Sequence, residues 1–249
     1  MKKIAIFCLF VLAVTGCKKE TTSTFISGPS SNTDKASTGS SAAAFLSADT
    51  YMSLRVELQY APGMQPQTQT LTNLSNFLAE RLNKPGGVLV NSKQTASFGK
   101  SIVSIADITN YTDQYRTAYT DGNQITLYIV FADADYATSG VVGVAYRNTA
   151  ICVFEKTIQA NSGGINQASR VKVETGVLLH EIGHLLGLTN NGTVMTTPHE
   201  DTANKAHCNN SNCLMYHSIE TTGLMNMLNN SVPVLDANCL ADLKANGGK

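Results

Sequence analysis

Neither sign of charge is in excess: 18 Lys and Arg balance 18 Asp and Glu in 249 residues. That balance removes the basic field a nucleic-acid partner needs, and no basic amphipathic helix offers a peripheral membrane surface. There is no internal repeat, so the chain is not built as an array. No apolar run reaches the ~20 residues of a membrane-spanning helix. The run from Ile4 to Val14, after Lys2 and Lys3, is short enough to read as a signal-peptide core. No Cys stands between Cys17 and Cys152, so the sequence carries no cysteine switch, and no propeptide is evident.

What is present begins with that signal. Val14-Thr15-Gly16-Cys17 resembles a bacterial lipobox, which implies cleavage before Cys17 and lipidation of Cys17 itself. The expected place is the bacterial cell envelope, with the chain lipid-anchored and facing the periplasm or the exterior. Residues 18–43 are rich in Ser, Thr and Gly and poor in large apolar residues, the composition of a flexible tether. Such a tether holds a domain roughly 25–30 Å from its anchor. The expected organisation is therefore a signal peptide over 1–16, a lipidated Cys and tether over 17–43, and one domain over 44–249, expected as a monomer. Removing Cys8 and lipidating Cys17 leaves Cys152, Cys208, Cys213 and Cys239. In an oxidising compartment four cysteines suggest two disulfides.

Periodicity gives an α/β order. Strands are expected over 51–62, 87–93 and 124–132, and a hairpin of two strands over 140–156 turns through Arg147-Asn148-Thr149. Helical spacing runs over Thr68–Leu82, more weakly over Ala106–Tyr119, and over Asn166–Leu186.

The last helix carries the chemistry. It contains His180-Glu181-Ile182-Gly183-His184, an HExxH pattern. Two His four apart project from one side of a helix and present two neutral imidazoles to a zinc ion. Glu181 cannot also ligate from that spacing, but it can take a proton from a water at the metal and pass it to a leaving amine. Gly187 can adopt positive φ and end the helix abruptly. The pattern usually continues to a third His three residues after that Gly, yet position 190 is Asn.

Downstream, "HCNNSNCLMYH" (207–217) supplies the missing residue. With the HExxH helix it resembles the metzincin metallopeptidases, and His207, Cys208, Cys213 and Met215 match the archaemetzincin signature H-C-x4-C-x-M. The third His is displaced from 190 to 207 by a 17-residue insertion of polar, turn-forming sequence. The resemblance implies zinc ligation by His180, His184 and His207, with Glu181 as general base. It makes Met215 the apolar floor under the imidazoles and Tyr216 part of the wall of a substrate pocket. His217, just after the Met-turn, is a candidate helper in the transition state. The family's second zinc site uses four Cys. Here Asp236 replaces the first of the last pair, so Cys208, Cys213, Cys239 and Asp236 are candidates for a disulfide or a second, structural zinc.

Other ligands compete for the third position. His199 lies inside the insertion without a following Met, and Glu200 or Glu220 would give a gluzincin arrangement. Met225 and Met227 have no such context and read as packing residues. The implied fold is a metzincin-type zincin: a mostly parallel twisted sheet with an antiparallel edge strand, an active-site helix and a C-terminal Met-turn subdomain. An edge strand above the cleft would pair with extended substrate, and residues 150–154 are the candidate by position. The implied function is a zinc-dependent peptidase acting on polypeptide. The alternative from another class is a non-catalytic surface lipoprotein that keeps the fold.

Overall fold

In the computed structural model, residues 32–165, 167–222 and 231–249 are described. The expected signal peptide, Cys17, Asn166, Met225 and Met227 lie outside them.

A five-stranded sheet has the order β2-β1-β4-β7-β6. It consists of β1 (Ser53–Tyr60), β2 (Val88–Gln94), β4 (Gln124–Phe131), β7 (Ala150–Val153) and β6 (Gly143–Arg147), and a short pair joins β3 (Ile102–Val103) to β5 (Asp135–Tyr136). β1 pairs in parallel with β2 and β4, β4 pairs in parallel with β7, and β6 alone runs antiparallel. β4 and β7 are covered on both faces, which explains why they read as continuous apolar runs rather than alternating ones.

On one face α2 (Thr68–Arg81) and α5 (Arg170–Leu185) pack over Leu54, Val56, Leu127 and Ile129. On the other face α3 (Ile105–Tyr115) covers Tyr128, Val130 and Cys152. α5 crosses β6 and β7 and also contacts α2. The site helix is thus wedged between the sheet and a second helix, and nearly all of its residues from Val173 onward are buried.

The expected strands and long helices form, with physical reasons for each difference. α3 stops at Tyr115 rather than Tyr119 because Arg116 turns inward. Its guanidinium donates to the carbonyls of Ala118 and Thr126 and to Thr149 Oγ1. α5 starts at Arg170, where the Ser169 hydroxyl caps Lys172 N, and a short α4 (Glu155–Ala160) precedes it. The substrate-edge candidate over 150–154 needs correction. β7 is an interior strand; the edge strands are β2 and β6, and β6 is the one that α5 contacts.

Residues 32–43, expected as part of a flexible tether, are held on the domain. A 3₁₀ turn (Asn32–Lys35) and α1 (Ala42–Leu46) already pack on the domain. Asp34 is fully buried, accepting hydrogen bonds from Thr120 N at 2.8 Å and Thr120 Oγ1 at 2.7 Å. Asn148 ties the same segment down through Thr33 O, Ala36 N and Ser41 Oγ. Composition suggested a tether because polar residues, not large apolar ones, make these contacts.

Candidate metal centre

α5 delivers His180, Glu181 and His184 to the interior and then stops at Gly187, whose φ of 80° an L side chain rarely adopts. The inserted segment leaves from there and returns at residue 207. Thr189 N donates to Ala206 O, so the two ends of the excursion sit side by side. His207 is thereby brought against the helix despite its distance in sequence. The three imidazole centroids lie 4.7, 4.9 and 5.3 Å apart.

Each of these rings is oriented by a backbone carbonyl. His180 Nδ1 lies 2.7 Å from Leu214 O, His184 Nδ1 3.3 Å from Leu188 O, and His207 Nδ1 2.9 Å from Lys205 O. A carbonyl only accepts, so each Nδ1 carries the proton and each Nε2 is left with a lone pair. That is the outer-shell arrangement that orients imidazole ligands toward a metal. The Nε2 atoms of His180 and His184 are 3.1 Å apart. Ligand atoms around a tetrahedral zinc, at bonds of about 2.0–2.1 Å, are separated by about 3.3 Å. His207 Nε2 is buried without a hydrogen-bond partner, an unsatisfied lone pair that a metal would satisfy. Burial, and then mutual repulsion, keep His180 and His184 neutral: His180 falls well below the usual imidazole range, and His184 to about 4. Neutral imidazole is the form that ligates.

A fourth group joins them. Ligand atoms of His180, His184, His207 and Glu220 all lie within 4.8 Å of one another. Glu220 closes a 3₁₀ turn (His217–Glu220), and its Oε2 stands 3.7 Å from His207 Nε2. Burial opposes ionisation of both groups. Their attraction outweighs it, holding the Glu220 carboxyl below and the His207 imidazole above their ordinary values.

Glu181 is buried; the Ala145 N–H of β6 faces its carboxylate, but no donor meets either oxygen in hydrogen-bond geometry. Burial first, and the Glu220 charge second, push it well above the usual carboxylate range. β6 passes directly over it. A methyl group on Gly143 would sit 2.7 Å from Glu181 Oε1 and 2.6 Å from Val177 Cγ1, so only glycine lets the strand and the carboxylate approach this closely.

Met215 is fully buried beneath the helix, with its sulfur against the backbone of Gly183. Tyr216 is half-buried, its ring tilted on His217 at 4.3 Å. His217 lies 6.4 Å from His207 between ring centroids, and its Nδ1 stands 3.6 Å from Asp201 of the insertion. Of the three rival ligands, Glu220 joins the centre and the other two point elsewhere. His199 faces Asp242 and Cys239, and Glu200 accepts from Ala206 N and Asn190 Nδ2.

Behind the turn, ligand atoms of Cys208, Cys213, Asp236 and Cys239 form a second cluster, again within 4.8 Å of one another. Asp236 caps α6 (Ala237–Ala245) through Cys239 N. The expected two disulfides are not formed: all four cysteines are free thiols, and Cys152 stands apart on β7. Cys213 Sγ lies 3.6 Å from Cys239 Sγ, and Cys208 Sγ 3.4 Å from Asp236 Oδ2. These are the separations of ligands around one zinc with bonds of about 2.3 Å to sulfur and 2.0–2.2 Å to oxygen. The close contact with Cys239 holds Cys213 below the ordinary thiol range. The two clusters are mechanically joined: Met215 N donates to Cys213 Sγ, and Cys208 N to Met215 O.

Sequence reasoning missed Gly143, Gly183 and the three orienting carbonyls. A glycine inside a helix or strand is the one available signal of such close approach. Carbonyl positions leave no trace in residue identity.

Residues 86–189 match the family model of the reprolysin-like M12B metallopeptidases, a match that ends where the insertion begins. The chain is similar in structure to the archaemetzincin of Methanopyrus kandleri, with a TM-score of 0.52 and 17% identity over 80% of this chain and 96% of that one. Metalloproteinase-II of Bacteroides fragilis aligns with a TM-score of 0.42 and 17% identity over 79% of this chain, which spans only 54% of that protein. No curated protein matches the chain by sequence. The first finding is a metallopeptidase signature over the stretch that contains HExxH. The second shows an archaemetzincin fold, with its mostly parallel sheet and one antiparallel edge strand.

Proposed function

We propose that this metallopeptidase of archaemetzincin-like fold hydrolyses peptide bonds at a zinc held by His180, His184 and His207, with Glu181 as general base. The observation that carries the reading is the convergence of three carbonyl-oriented imidazoles around an unsatisfied Nε2, beside a buried and unpartnered carboxylate. Bound zinc would supply Lewis acidity toward the scissile carbonyl and toward a water.

The chain's own residues do the rest. Glu181, raised by burial, is suited to accept a proton from the attacking water and return it to the departing amine. The outer edge of β6, next to Glu181 and engaged by Thr38 Oγ1 at Ala145 O, is suited to take an extended peptide by strand addition, which would lay the scissile bond along the carboxylate. Tyr216 lines the wall beyond the cut. His217, with its ring against Tyr216 and its Nδ1 3.6 Å from Asp201, is suited to donate toward the oxygen on which charge develops.

The second cluster is read as a structural zinc site of three Cys and Asp236, favoured over disulfides by its ligand-like separations. Lipidation at Cys17 and residence in the cell envelope are carried by the lipobox.

The test is hydrolysis of an unfolded protein by the wild type and by Glu181→Gln, with zinc content followed in parallel. Loss of cleavage with zinc retained supports the reading. Zinc binding by a wild type that cleaves neither unfolded proteins nor a peptide library would favour the non-catalytic alternative.

A further inference from the structure

We propose that Glu220 is the fourth ligand of this centre, so that the resting protein holds its metal in a His3Glu set with no open coordination position. The inference rests on the reading of His180, His184 and His207 as ligands and concerns how that site is kept closed.

Three observations carry it. The Glu220 carboxylate belongs to the same group of converging ligand atoms as the three imidazoles, with Oε2 3.7 Å from His207 Nε2. That separation is close to the ligand spacing of about 3.3 Å around a tetrahedral zinc and too long for a hydrogen bond, so the pair brackets a space rather than filling it. Second, the carboxylate lacks another counterion: among the described residues no Lys or Arg pairs with Glu220, and its side chain is only 31% exposed. A half-buried carboxylate whose oxygen converges with three imidazole nitrogens is the arrangement of a ligand set.

Third, its backbone is held in place. Val142 N donates to Glu220 O at 2.9 Å, Val141 bridges Thr221, and Thr222 N donates to Gly140 O. These contacts join the Glu220 turn to the segment that leads into β6. The edge expected to receive substrate and the carboxylate that closes the metal are therefore parts of one hydrogen-bonded unit. Peptide docking on β6 would act on the unit that carries Glu220.

The experiment replaces zinc with cobalt in the full chain and in Glu220→Ala, Glu220→Gln and His207→Ala. Visible absorption is recorded as imidazole, a small neutral ligand, is titrated in. Subtracting the His207→Ala spectrum removes the contribution of the cysteine cluster.

Expected are visible bands in the wild type that imidazole leaves unchanged. Both Glu220 variants should show shifted bands and respond to imidazole, with zinc affinity lower by about tenfold or more. Glu220→Gln, nearly isosteric, guards against misfolding of the alanine variant. A wild type that responds to imidazole as the variants do, with the same bands, overturns the proposal. Should cobalt not bind the wild type, or bind His207→Ala equally, the three-histidine reading itself fails and takes the proposal with it.

Discussion

A methyl group placed on Gly183 would lie 2.2 Å from Met215 Sδ, so the glycine inside the HExxH pattern and the methionine after the third histidine are one packed joint. Two segments 32 residues apart in sequence meet there, and the thioether fills the space a side chain at 183 would take. Gly183→Ala is expected to push Met215 off its seat and lower stability by about 1–3 kcal/mol, the usual cost of overpacking. Thermal unfolding reads the loss, and Met215→Ala in the same chain should recover part of it. Wild-type stability in Gly183→Ala would mean that the turn is not seated on the helix.

Gly143 on β6 tests the approach of strand to base. A Cβ there would meet Glu181 Oε1 at 2.7 Å and Cγ at 3.0 Å. Gly143→Ala should displace the carboxylate and reduce kcat by about 10²-fold or more, the worth of a positioned general base, while zinc content stays at the wild-type level. An unchanged kcat would detach Glu181 from the chemistry or β6 from Glu181.

The cysteine cluster predicts thiols, not disulfides. In the chain purified without reductant, Cys208, Cys213 and Cys239 should react with a thiol reagent only after a chelator is added. Cys152, fully buried and pushed well up by burial, should wait for unfolding. Loss of two titratable thiols in the unfolded, chelated chain would instead indicate a Cys213–Cys239 disulfide.

A buried acid away from the centre sets a pH dependence. Arg170 Nε is shared by Glu155 Oε1 at 2.7 Å and Glu174 Oε1 at 2.6 Å, and both carboxylates are fully buried. Burial, then repulsion from Glu174, raise Glu155 from 4.5 to about 8. Between those values the native state holds a proton that the unfolded chain has lost. Stability therefore falls as pH rises through that window, by about 1.4 kcal/mol for each pH unit, and levels off above it. Glu155→Gln should flatten the slope measured by urea unfolding from pH 5 to 8. Parallel slopes for both proteins would show that Glu155 is ionised in the native state.

Much of this was legible in residue order, and its limits are physical. β4 and α2 are plain in the sequence, the first as an unbroken apolar run and the second by its helical spacing. His180, Glu181 and His184 are legible because one helical turn fixes their relation, and His207 because Cys208, Cys213 and Met215 keep their spacing from it. The docking of Asp34 under Thr120 was invisible, since a buried Asp looks like a solvated one until its partners are known. The edge strand was misplaced from β6 to β7 because a hairpin pattern does not say which arm meets β4. Residue order offers Glu220 only as a replacement for the third histidine. Its place beside His207 depends on a 3₁₀ turn that no periodicity announces.

The most direct test of the account is zinc per chain, by elemental analysis, in the wild type and in His207→Ala purified side by side. The account predicts that the substitution removes one zinc ion per chain and leaves the cysteine cluster loaded. Equal zinc content in the two proteins would contradict it, since the displaced histidine would then not close the site.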